Sequence, residues 1–432
     1  MPKPFPIPDW VRRTNVYEVN LRQYSQEGTI QAFIPALPRL RAMGVETLWF
    51  MPITPIARQH MKGTMGSYYA CASYKGVDPE FGSEADFREL VKSAHELGFK
   101  VILDWVANHT GWGHEWTVQH PDWYEKDPAT GDFKRASGMD DIIELDFYNA
   151  DMRAAMIEAM QWWVKEFDID GFRCDLAAWV EYFFWQEARP ELEKIKPLFW
   201  LGEFDELENP EYMGVFDACY SWKWMHRTRE FYQQRYPLYE LESLLERYQQ
   251  VNRDGSMQIW FTSNHDENSW NGTEYEKYGD MARGLAVFSA TWSGIPLVYT
   301  GQEAPNHKRL AFFDKDPVEW TSQFYLENFY KTLLQLHSQH PALCAGDPDT
   351  LPVRLHTSAD DKLYAYLRKK GEREVLVILQ FSDEYEMSFS IPDTRLEGTF
   401  TELFSGQPRN WSEEREARKY SLCLCAFAVK QQ

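Results

Sequence analysis

The sequence predicts a (β/α)8 TIM barrel with a small inserted domain after its third strand and a C-terminal antiparallel β-sandwich domain. Three observations carry this. Eight short apolar runs of strand character alternate with helical periodicity as far as Tyr299. After the third run, Thr110 to about Asn149 is rich in Trp, Asp, Gly and Pro, and far exceeds the ~2–6 residues usual between strand and helix in an α/β unit. Beyond about residue 345 the helical period gives way to period-two runs joined by polar turns. A chain of 432 residues also exceeds what one hydrophobic core usually supports. The expected division is barrel over 1–109 and 150–345, insert over 110–149, and β-domain over 346–432.

The first strand is Asn15–Asn20, followed by a helix over Ile30–Met43 that Gly44 terminates. Thr47–Met51 is the second strand, stopped by Pro52. An amphipathic helix over Ala85–Leu97 ends at Gly98, and Val101–Leu103 is the third strand. Past the insert, Asp151–Glu166 carries Met152, Met156, Met160 and Trp163 at helical spacing. The remaining barrel strands are Phe167–Phe172, Leu198–Leu201, Phe216–Tyr220, Gln258–Thr262 and Ile295–Tyr299. An open doubly wound sheet would call for a glycine-rich phosphate turn early in the chain, and none is present. The terminal strands read as Thr350–Leu355, Lys362–Leu367, Glu374–Phe381, Met387–Ile391, Gly398–Phe404 and Tyr420–Val429.

Composition narrows the partners. The net charge of −21, from 45 basic and 66 acidic residues, repels a phosphate backbone and argues against nucleic acid. No apolar run is long enough to span a membrane, and the proline-rich start lacks the apolar core of a signal peptide. Six cysteines stand singly at 71, 174, 219, 344, 423 and 425, without metal-type spacing, and Cys423 and Cys425 share one strand face. Reduced, buried thiols and a cytoplasmic location are expected. Aromatic residues make up 16% of the chain. Core packing absorbs most of them, but Trp105, Trp112, Trp116, Trp123 and Tyr124 cluster after the third strand, where flat rings can cover sugar faces.

Four carboxylate-bearing segments follow successive apolar runs in order. They are Asp104-Trp-Val-Ala-Asn108-His109, Gly171-Phe-Arg173-Cys-Asp175, Trp200-Leu-Gly-Glu203 and Ser263-Asn264-His265-Asp266. Alone, the first would be a cap or turn and the second a surface ion pair. Jointly they stand where a barrel builds its active site, at the C-terminal ends of strands. His114, His120 and His226 have no such company and are read as structural.

With these segments the chain resembles glycoside hydrolase family 13, the α-amylase family. Gly66-Ser-Tyr-Tyr69 to Tyr74 with Val77–Gly82, Glu144-Leu-Asp146-Phe, and Gly294–Glu303 resemble further family motifs. The resemblance implies Asp175 as nucleophile, Glu203 as general acid/base and Asp266 as the third acid, bound to hydroxyls of the reacting sugar. It implies His109 and His265 as hydroxyl ligands and Tyr69 as the platform beneath that sugar. Arg173, on the strand face of Asp175, would hold the nucleophile ionised and lower its pKa. Asp104 would prop Arg173, and Phe199 and Trp200 would supply the apolar surroundings that keep Glu203 protonated. Glu303 is expected to be structural.

Many family members carry Lys-His where this chain has Ala178-Trp179. The lysine contact to sugar is therefore absent, and Trp179 offers a ring at the substrate site and a backbone carbonyl. Asn108 and Asp146 match the family's side-chain ligands to a structural Ca2+, and both are oxygen donors of the type calcium prefers. No organic cofactor is implied. The implied activity is retaining hydrolysis of α-1,4-glucosidic bonds in starch, glycogen or maltooligosaccharides through a covalent glycosyl-enzyme. Two carboxyl groups ~5–5.5 Å apart are needed for that chemistry. An exo-acting α-glucosidase, a maltogenic enzyme or a transglycosylase would use the same machinery, whereas a non-catalytic glycan-binding relative would lack one of the acids. Oligomeric state is left open.

Overall fold

The computed structural model describes residues 5–320, 324–382, 387–411, 418–420 and 425–430. Its centre is a closed barrel of eight parallel strands. These are β1 (Val16–Val19), β2 (Thr47–Phe50) and β3 (Lys100–Trp105), then, past β4 (His109–Gly111) and β5 (Ile142–Glu144) of the excursion, β6 (Gly171–Cys174), β7 (Phe199–Asp205), β8 (Ala218–Tyr220), β9 (Met257–Trp260) and β10 (Ile295–Tyr299). Barrel order follows chain order, and β1 closes the ring by pairing with both β2 and β10.

Within the barrel, two elements differ from the sequence reading. The apolar run Phe167–Ile169 does not open the fourth barrel strand. Phe167 instead ends the helix Ala150–Phe167, one turn beyond Trp163, and both rings are buried. Asp168 then takes a left-handed conformation (φ 56°) that stops the helix, so the strand starts at Gly171. The helix expected over residues 30–43 is interrupted by a 3-10 turn at Ile34–Ala36, since Pro35 and Pro38 cannot donate to the helical ladder. Its predicted stop holds, with Gly44 at φ 95°.

Gly171 is required by a close approach. In register with Phe199 of β7, it would place a Cβ 2.1 Å from the Phe199 carbonyl oxygen. The strands that present Arg173 and Glu203 can therefore sit this close only with glycine there.

The excursion between β3 and the helix Ala150–Phe167 is held by the antiparallel β4–β5 pair and its own aromatic packing. Trp116 packs edge-on to Trp123 at 4.9 Å, and Trp112 packs against Phe133 and His60. Trp105, Trp116, Trp123 and Tyr124 are buried. The aromatic cluster expected to cover sugars thus packs the insert onto the barrel, where burial of flat apolar area outweighs exposure.

After the helix Glu327–Gln339 come β11 (Val353–Leu355), β12 (Leu363–Lys370), β13 (Arg373–Gln380), β14 (Met387–Phe389), β15 (Thr399–Glu402), β16 (Pro408–Asn410), β17 (Arg418–Tyr420) and β18 (Cys425–Lys430). They form a six-stranded sheet, β11-β12-β13-β18-β15-β16, and the pair β14-β17. Ala365, Leu367, Leu376 and Ile378 of the large sheet share a core with Met387 and Phe389 of the small one. Residues of opposite parity, Tyr364, Tyr366, Val375 and Val377, join the barrel core near Phe288 and Trp292. The terminal domain therefore covers apolar helix surface of the barrel. Cys423 lies outside the described residues. Among the cysteines whose side chains are described, Cys71, Cys174 and Cys219 are buried and Cys344 is half-buried.

Candidate active site

One guanidinium organises the C-terminal mouth of the barrel. Arg173, fully buried on β6, donates from Nη1 to both oxygens of Asp104 (2.9 and 3.1 Å) and to Oδ1 of Asp175 (2.9 Å). Its Nη2 lies 2.8 Å from Oε2 of Glu203, and Nε donates to the Tyr220 hydroxyl at 3.1 Å. The register explains the convergence, since Asp104 of β3 stands opposite Arg173, and Glu203 lies further along the neighbouring strand β7. Asp104 also accepts from Trp49 Nε1 and the Tyr69 hydroxyl. Its oxygens are thus engaged by protein groups, as a prop requires.

The backbone bends just past Asp175. Leu176 adopts a left-handed conformation (φ 42°), and its N–H donates to Oε2 of Glu203 at 2.9 Å. A non-glycine residue there is strained, and such strain concentrates at functional sites.

Burial and charge set the acids apart. Burial pushes Glu203 up to about 7; Arg173 opposes it, and Asp175 and Asp266 reinforce it. Burial also outweighs the pull of Arg173 on Asp175, whose carboxyl is pushed up to about 6 instead of being lowered as expected from sequence. Burial disfavours ionisation of Asp266 too, but there His265 and then Arg173 prevail and hold it below its ordinary value. Of the two aromatics expected beside Glu203, only Phe199 shares its strand face. Trp200 faces the outer layer, against Phe172, Trp185 and Phe216.

The two histidine candidates differ in their partners. His109 is buried, its Nε2 has no hydrogen-bond partner among the described residues, and burial pushes it down to about 4, so the ring is neutral. His265 has both nitrogens occupied: Nδ1 by Glu18, and Nε2 by the Tyr69 hydroxyl and Asp266. The Tyr69 ring stacks on His265 (5.3 Å, 17°) and on Phe312 (6.1 Å, 23°), forming a continuous aromatic wall. Trp179 is 57% exposed on the short turn that follows Asp175.

Asn108 and Asp146 adjoin across the β4–β5 ladder, where the Leu145 N–H donates to the Asn108 carbonyl. The Asn108 amide nitrogen faces His109 Nδ1, and Asp146 Oδ1 accepts from Tyr148 N–H. The donor chemistry fits calcium, although two side chains are far fewer than the ~6–8 oxygens that ion takes. Backbone carbonyls and water would have to complete the shell.

Sequence reading missed Glu18, Trp49, Tyr220, Trp270 and Phe312. Glu18 did leave a signal, as the sole acid in an otherwise apolar first strand. Trp270 is 53% exposed, hydrogen-bonds Asp266 and packs on Phe312 and Phe313. Glu303 is structural as expected, tying Tyr17 to Arg39.

A buried acid that keeps its proton, a second carboxylate ionised beside it and a shared cation form a set suited to proton donation and nucleophilic attack at one carbon. A family model for the α-amylase catalytic domain matches residues 8–135 and 120–309. α-Amylase 2 of Dictyoglomus thermophilum is 23% identical over 445 residues, covering 93% of this chain and 74% of that protein. A cyclomaltodextrinase of Thermoanaerobacter pseudethanolicus is 25% identical over 407 residues, covering 84% of this chain and 65% of that protein. This chain thus spans just under two thirds of the cyclomaltodextrinase. The crystal structure of a maltogenic α-amylase from Thermotoga neapolitana superposes with a TM-score of 0.87 at 25% identity, covering 98% of this chain and 100% of that one.

Proposed function

The chain belongs to the α-amylase family of glycoside hydrolases, and we propose that it hydrolyses α-1,4-glucosidic bonds of maltooligosaccharides, starch or glycogen with retention. The observation that carries this is the contact of Asp175 and Glu203 with a single guanidinium, Arg173. Carboxyl groups bridged so closely suit the ~5–5.5 Å spacing of retaining enzymes better than the ~6.5–9.5 Å that leaves room for water in inverting ones.

In the first step Asp175 attacks the anomeric carbon while Glu203 gives its proton to the departing glycosidic oxygen. In the second, Glu203 takes a proton from water as that water attacks the same carbon. Asp175 is released as carboxylate and Glu203 regains its proton. Asp266 and Nε2 of His109, which has no hydrogen-bond partner among the described residues, would hold hydroxyls of the reacting sugar over Tyr69. Trp179 would meet the chain at the mouth.

Maltogenic action is the second reading, favoured by the names of the Thermotoga protein and of a maltogenic α-amylase of Bacillus acidopullulyticus that is 25% identical over 398 residues. Calcium is proposed at Asn108 and Asp146, with no role in either step. No helix among the described residues is long and apolar enough to cross a membrane, and singly placed, buried cysteines support a cytoplasmic location.

The test is a time course of products from maltoheptaose, soluble starch and pullulan. Mid-sized oligosaccharides appearing early as α-anomers support endo-acting, retaining hydrolysis. Maltose or glucose alone from the start moves the assignment to maltogenic or exo action. Products longer than the substrate indicate transfer, and no turnover of any α-glucan removes the proposal.

A further inference from the structure

Glu18 lies on β1, buried inside the barrel and outside every motif that marks the site. Its Oε1 is 2.5 Å from Nδ1 of His265, 247 positions along the chain. The opposite ring nitrogen, Nε2, is 2.8 Å from the Tyr69 hydroxyl and 3.2 Å from Oδ2 of Asp266. Accepting the reading of Asp266 given above, we propose that Glu18 is a positioning residue of the reaction, which keeps the His265 ring charged and oriented and through it holds Asp266 and Tyr69 in place.

The hydrogen bonds support a doubly protonated ring. The Tyr69 hydroxyl gives its one proton to Asp104 (3.0 Å), so the 2.8 Å contact with Nε2 needs a proton on that nitrogen. The 2.5 Å contact with Glu18 needs a second proton between Nδ1 and Oε1. Charge balance assigns it to the ring. The groups facing His265 are Glu18 from β1, Asp266 beyond β9 and Tyr69 with Asp104 behind it, with the Trp49 and Phe312 rings packed against it; Arg173 from β6 acts on Glu18 and Asp266. With Glu203 holding its proton, Glu18, Asp104, Asp175 and Asp266 still gather around one guanidinium, and an imidazolium supplies the second positive charge. Burial opposes that charge, but Asp266 and Glu18 outweigh it, and His265 holds its proton well above the usual histidine range.

Glu18→Gln keeps a hydrogen-bonding group at Nδ1 and removes only the charge. The experiment pairs kinetics on maltoheptaose across pH with 15N–1H correlation spectra of histidine-labelled protein, in which His265→Asn identifies the resonance. The wild-type ring should be protonated on both nitrogens at about pH 7.5, and in Glu18→Gln it should titrate below that. The variant should lose roughly 10–100-fold in kcat/KM near pH 7.5, with the alkaline limb of the profile about one unit lower. A neutral wild-type ring overturns the proposal, and this needs no variant at position 18 to fold. A loss in Glu18→Gln that is uniform at all pH also overturns it, since that marks a merely structural role. If no α-glucan is turned over, the hydrolase reading fails, while the spectra still decide the role of Glu18.

Discussion

Arg173 Nη2 lies 2.8 Å from Oε2 of Glu203, so the acid proposed to donate a proton sits against a permanent cation. The cation favours the ionised acid, and only burial, with Asp175 and Asp266 nearby, keeps the proton on. A lysine ammonium could not reach Asp104, Asp175, Glu203 and Tyr220 together. Arg173→Lys should therefore lower kcat/KM by roughly 10²-fold or more and reduce the melting temperature. Arg173→Ala, which leaves three buried carboxyl groups without their cation, should cost about 3–5 kcal/mol of stability. Urea unfolding and steady-state rates check both.

The two acids predict a narrow bell-shaped pH profile. Asp175, up at about 6, must lose its proton to attack, so activity rises as pH climbs through that value. Glu203, up at about 7, must keep its proton, so activity falls as pH passes it. The maximum of kcat/KM is expected between the two. The limbs belong to the coupled set rather than to single residues, and a broad plateau reaching pH ~9 would contradict the assignment.

Asp175→Asn should reduce turnover by roughly 10³-fold or more while leaving the fold intact. Glu203→Gln should harm natural linkages far more than aryl glycosides with good leaving groups, which need little protonation. Equal loss on both substrates would remove the proton-donor role.

Stability should move oppositely. A carboxyl whose ionisation is raised by folding stabilises the native state below its unfolded value and loses that contribution as pH rises through the folded one. For Glu203 the loss lies between the ordinary value of 4.5 and about 7. Above that window the ionised, buried side chain destabilises, so Glu203→Gln should melt a few degrees higher than wild type, by about 1–3 kcal/mol at most. Calorimetry at two pH values checks the sign, because the gain should vanish in acid.

Gly171→Ala would press a methyl group onto the Phe199 carbonyl, 2.1 Å away. Since this is the seam between the strands carrying Arg173 and Glu203, the variant should lose about 1–3 kcal/mol or more of stability and turnover together. Unchanged melting and kcat would refute the close approach.

Chelation should lower the melting temperature if calcium bridges the barrel and the excursion through Asn108 and Asp146, as proposed. An unchanged melt with EDTA would remove the ion from the account.

Local pattern along the chain carries the alternation of strands and helices, the length of the excursion and the four acid-bearing segments, because side-chain period and short motifs are properties of neighbouring residues. It misleads where two periods overlap. Phe167 suits a strand or the last turn of a helix, and only packing beside Trp163 decides. The aromatic cluster from Trp105 to Tyr124 likewise suits a sugar cleft or a core, and burial against the barrel makes it core. Barrel closure alone brings Glu18 to His265, since β1 must meet β10 before residues 247 positions apart can touch. The balance on Asp175 is also a tertiary matter. Sequence shows the cation two residues away, but how far burial outweighs it depends on how completely the mouth of the barrel excludes water.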